Sequence, residues 1–133
     1  MTFAQILPIL AALGLVIYML RSLSPGNSEV RIPWVIPATL SLVFLVFSLI
    51  TIAREGLSTV WYNHTQNLWG NQVWIDLLLG IGIAWAFILP HARAVGMRLP
   101  VWLLLILASG CIGVLAMVAR LSYLQEQSLT RPA

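Results

Sequence analysis

The sequence predicts an all-α fold: an integral membrane bundle of four transmembrane helices, with a short interfacial helix in the second loop. Three observations carry that expectation. Of 133 residues, 60% are hydrophobic and only 8% charged, whereas a soluble domain carries about a quarter charged residues. The apolar residues lie in four long blocks, each near the roughly 20 residues a helix needs to cross hydrocarbon. An arginine follows every block: Arg21, Arg54, Arg93 and Arg120.

The blocks span residues 3–20, 34–53, 73–89 and 99–119, within one membrane domain, 1–133. The first is interrupted only by Gln5. No basic side chain precedes it, and its apolar run exceeds a usual signal-peptide core, so it reads as a retained span. The second has no charge. The third is shorter and carries Asp76. Beyond the boundary indole of Trp102, the fourth offers only Ser109 and Cys111 as side-chain hydrogen-bonding groups. Tyr18, Trp34, Trp74, Trp102 and Tyr123 stand where an interfacial aromatic belt belongs. Pro33 and Pro100 are expected in first helical turns, where a missing N–H costs nothing. Pro8 and Pro37 fall deeper and are expected to bend their helices. Arg31-Ile32-Pro33-Trp34 and Arg98-Leu99-Pro100-Val101-Trp102 open two blocks alike, which hints at an internal duplication. A shared grammar of membrane boundaries explains the same pattern.

In the second loop Leu57, Val60, Trp61, His64 and Leu68 share one helical face, as in an amphipathic helix lying in the interface. The polar run that follows includes Asn67, Trp69 and Asn71. These side chains suit either a headgroup or partner contact, or a cap that satisfies exposed helix ends.

Asp76 is the one ionisable side chain well inside a block. Near a helix centre an aspartate costs about 2.5–3.5 kcal/mol to insert. If spans two and four both end where span three begins, Arg54 and Arg120 arrive at its depth. The stripe Asp76, Gly80, Ala84 would then pack on Ser109, Gly113, Ala116, Arg120, small residues allowing close approach. The expectation is an Asp76–Arg120 ion pair, with Arg54 as alternative partner. The candidate polar cluster is therefore Asp76, Arg54, Arg120, His64, Asn67, Trp69 and Asn71.

The residues also exclude functions. All seven basic residues are arginines spread along the chain, with no clustered patch for nucleic acid. His64 and His91 fall on opposite sides of the bilayer, so no metal or haem site and no cofactor is expected. Cys111 is alone, which removes thiol redox chemistry. No catalytic motif is present.

Arginine bias orients the chain. Arg21, Arg31, Arg93 and Arg98 are expected in the cytoplasm, against Arg54, Arg120 and Arg131 outside, which places both termini outward. The exclusive use of arginine fits a GC-rich bacterial genome and hence a bacterial inner membrane.

The run Asp76-Leu77, Trp85, His91-Ala92-Arg93-Ala94-Val95-Gly96-Met97, Trp102, Gly110, Gly113 and Ala119-Arg120-Leu121 resembles the small bacterial membrane proteins of domain of unknown function 2834. The likeness covers about residues 71–126. It implies a small helical bundle and supplies no catalytic residues. The expected role is an accessory or structural subunit packing against a larger membrane partner or a second copy of itself. The alternatives are binding or transport of a small lipophilic molecule near Asp76 and the second loop, and a membrane enzyme acting on lipids.

Overall fold

In the computed structural model, residues 3–22 and 32–130 are described; Arg31 and Arg131, used in the arginine count, lie outside them. The described residues are all-α, in six helices: α1 Phe3–Ser22, α2 Val35–Glu55, α3 Ser58–Thr65, α4 Leu68–Ala94, α5 Leu99–Ser109 and α6 Cys111–Thr130. The chain divides into two compact units, Met1–Arg31 and Ile32–Ala133. The first unit contributes α1, an apolar helix with Pro8 inside and Arg21 in its last turn.

In the second unit, α2 and α4 are long and apolar enough to cross a membrane. Boundary arginines close both: Arg54 lies in the last turn of α2 and Arg93 in that of α4. Pro37 does not bend α2. It sits in the first turn, because the helix opens at Val35, and there it has no intrahelical hydrogen bond to break.

The fourth predicted span is not one helix. Gly110 takes φ 59°, ψ −126°, a conformation essentially closed to residues with a Cβ, and the chain reverses there. Helix α6 folds back along α5 so closely that a Cβ on Gly113 would stand 2.8 Å from the Cα of Ile106. With α5 only 11 residues long, it is about 16 Å in length, half the hydrocarbon thickness. The likeness between the segments opening at Arg31 and Arg98 therefore does not extend to shape: one leads into an unbroken helix, the other into a hairpin.

Helix α6 is the hub. Trp34 meets Tyr123 edge-on at 5.7 Å, and Ser41, buried on α2, donates its hydroxyl to Ile112 O at 3.0 Å, so α2 and α6 run antiparallel. Ile81 reaches the level of Gly110, while Ala92 packs with Met117, so α4 runs parallel to α6. Ala92, Ile106 and Met117 form the core, flanked by Trp85, Met97 and Trp102.

The α4–α5 corner follows from Gly96. At φ +72° it stands just past the helix end, with Met97 N–H donating to Ala92 O and Gly96 N–H to Arg93 O, both at 3.0 Å. This is the Schellman pattern, which satisfies carbonyls a helix end leaves unpaired. It also turns Met97 into the core.

Candidate functional site

The second loop forms a tight α3–α4 corner. Asn67 caps α4, its Oδ1 accepting from Gly70 N–H at 2.8 Å, and Asn71 Nδ2 donates to Asn67 O at 3.2 Å. A Cβ on Gly70 would stand 2.7 Å from Asn63 O, so only glycine permits this approach. His64 donates Nδ1–H to Val60 O at 2.6 Å and sets its ring 5.3 Å from that of Trp74. Asn67, Asn71 and His64 are thus brought together and spend their hydrogen bonds on the corner itself, in the manner of a cap. Around them Leu57, Trp61, Tyr62, Leu68 and Trp69 are exposed, and Trp69 takes no part in the polar contacts described.

Helix α4 opens five residues before the predicted span, at Leu68 rather than residue 73. Asp76 consequently lies in its third turn. The side chain is exposed and has no ion-pair or hydrogen-bond partner among the described residues. Its helical face is shared with Gly80, Ile83 and Phe87, the last two exposed at 59% and 72%, whereas the side packed on the hairpin carries Ile81, Trp85, Ile88 and Ala92.

The expected Asp76–Arg120 pair is not formed, and the reason is the reversal at Gly110. A straight fourth span would have carried Arg120 to the Asp76 end. Instead α6 returns, and Arg120 lines one cleft with Gly96 and Arg98 beyond the far end of α4. The 18 residues from Asp76 to Ala94 put those ends about 27 Å apart. The expected small-residue stripes do not meet either: Gly113 is used against Ile106, within the hairpin, and Ser109 donates back to Leu105 O at 2.7 Å. Arg54 is exposed at the end of α2 and does not pair with Asp76.

Arg120 places its guanidinium carbon 5.5 Å from the Tyr123 ring centroid. Tyr123 accepts a hydrogen bond from Gln127 at 2.6 Å and abuts Trp34, whose N–H donates to Glu126 at 3.4 Å. The aromatic pair and the Trp34 backbone N–H bond to Glu126 tie the start of α2 to the later half of α6, while Arg120 and Gln127 hold Tyr123 from within α6.

No family model, curated protein or solved structure matches the chain. Function is therefore read from the residues and their geometry. What sequence reasoning missed is that Arg98 and Arg120 line one cleft. Gly110 was the available signal, but glycines are common in unbroken membrane helices.

Proposed function

We propose that this chain is a multi-pass protein of a bacterial inner membrane, serving as an accessory subunit that docks on a larger membrane partner through α4. The membrane reading is supported by burial: only 11% of the spanning window of α2 and none of that of α4 is buried. Core helices of a soluble protein would be largely covered.

The outer face of α4 supports the partner. Asp76 stands alone there among apolar neighbours, and an added Cβ on Gly80 would meet nothing within 4 Å. About 20 residues of α4 counted back from Ala94 reach the opposite boundary close to Asp76. A carboxylate at that depth gains by pairing with a donor on a neighbouring helix, and a glycine one turn further in lets that helix approach closely. The resemblance of the second half to domain of unknown function 2834 belongs to the same proposal.

The α5–α6 hairpin is read as entering and leaving the bilayer on one side. Arg93, Arg98 and Arg120 then share that side, against Arg54 on the other. Arginine bias assigns it to the cytoplasm, which reverses the outward expectation for the C-terminal part of α6. Reporter fusions at Gly56 and after Thr130 should fall on opposite sides; the same side for both overturns this topology.

For the accessory role, purification in mild detergent should retain a second membrane protein at fixed stoichiometry. Gly80→Leu should abolish its retention without altering the melting temperature of the isolated chain. A single-component monomer, or retention indifferent to Gly80→Leu, sinks the reading.

A further inference from the structure

We propose that the cleft between Arg98 and Arg120 seats the phosphodiester headgroup of an anionic membrane lipid, whose acyl chain leaves along Val101. The inference rests on the bilayer reading above and concerns the opposite end of α4 from the partner face.

The cleft holds about 440 Å³, within the range of small-molecule sites, about 300–1,000 Å³. Two arginines line it from separate elements: Arg98 from the N-cap of α5, and Arg120 from the middle of α6, where its guanidinium also faces the Tyr123 ring. Both residues are exposed, and among the described residues no carboxylate lines the cleft. The nearest acid along α6, Glu126, is engaged with the backbone N–H of Trp34. Of the other acids in the described residues, Asp76 and Glu55 belong to the other end of the unit, and Arg93, on the last turn of α4, adds positive charge. Two arginines lining one cleft, with no ion-pair partner among the described residues, suit a phosphate oxyanion, which accepts paired N–H donors from arginine.

The remaining walls distinguish a lipid from a free anion. Val101, Trp102 and Leu124 make part of the lining apolar. Val101 is 59% exposed, and Leu104 and Leu105, three and four residues further on, continue its stripe at 68% and 42%. A headgroup held at the arginines therefore has a continuous apolar track for its chain, while inorganic phosphate would leave that track unused. Trp102, in the first turns of α5, stands at the depth where indole rings border headgroups.

The reversal at Gly110 is what builds the site, since it alone brings Arg120 level with Arg98. A straight helix would have left the two arginines on opposite faces of the membrane.

The test uses the full chain in vesicles of phosphatidylcholine or phosphatidylglycerol with acyl chains brominated near the glycerol. The part of the tryptophan quenching that disappears in Trp102→Phe reports this cleft. Phosphatidylglycerol should quench it several-fold more than phosphatidylcholine. The preference should vanish in Arg98→Gln/Arg120→Gln and return in part in Arg98→Lys/Arg120→Lys. Excess inorganic phosphate should leave it standing.

Equal quenching of Trp102 by the two lipids overturns the inference while leaving the bilayer reading intact. So does a preference that free phosphate erases, which would make the cleft a soluble-anion site. Absence of quenching by either lipid removes the bilayer reading and the lipid site together. Should the glutamine variant fail to fold, the wild-type lipid comparison and the phosphate competition decide alone.

Discussion

The two ends of the second unit are built differently, and the level of Gly110 divides them. Toward Arg98, α2, α4, α5 and α6 are packed together, and there lie Pro37, Ser41, Ala92, Ile106, Gly113 and Met117, all buried. Beyond Gly110, α2 and α4 continue without the hairpin between them. Phe44, Phe47, Leu49, Val73, Ile75 and Leu79 are all exposed, and the contacts that fix geometry are local, within the α3–α4 corner. One end is held by helices packing on one another, the other by a cap. The lesson is that a short helix that turns back can organise one half of a helical unit and leave the apolar helices of the other half uncovered.

The sharpest way to break this contrast is Gly113→Val. Its side chain would collide with the backbone of Leu105 and Ile106, with approaches of 2.8–3.0 Å already at Cβ. Backbone cannot yield as a side-chain tip can, so a loss of about 3 kcal/mol is expected, read as a lowered melting temperature in detergent. An unchanged melting temperature would mean that α5 and α6 are not in close contact.

Gly110→Ala should cost less, about 2 kcal/mol. Here the penalty is conformational rather than spatial: a Cβ would sit an ordinary 3.7 Å from Ile81, but the backbone lies where L-residues are strained. A stabilised protein would indicate that a continuous helix through residue 110 is the better description.

The smallest effect belongs to the open end. Asn67→Ala removes the cap of α4 and should cost about 1 kcal/mol, confined to its first turn. Hydrogen exchange should quicken at residues 68–71 while the amides of Met117 and Ile106 keep their protection. Faster exchange at Met117 as well would mean that the two ends unfold as one.

Much was legible in the residues because boundary chemistry is local. Arg21, Arg54 and Arg93 each fall in the last turn of a helix, since an apolar run ends where a charge must reach water. The short helix in the second loop forms over Ser58–Thr65 with Leu57 at its N-cap, but Leu68, expected on the same face, opens α4 instead because the extended Asn67 breaks the helix before it. Asn67 reads as a cap from its type and place. Arg120 is the exception, standing in the middle of α6. The same boundary rule failed there because the run from residue 99 to 119 is two helices.

What the sequence determined by itself is the helical class, the apolar blocks and their flanking charges, because the solvent that favours them acts on each segment separately. What only the tertiary structure decided is the placing of charged groups: among the described residues Asp76 stands without an arginine, and Arg120 shares a cleft with Arg98. The difference rests on a single φ of +59° at Gly110. Glycine permits that angle and equally permits a helix, so only the fit of α6 against α2, α4 and α5 selects between them.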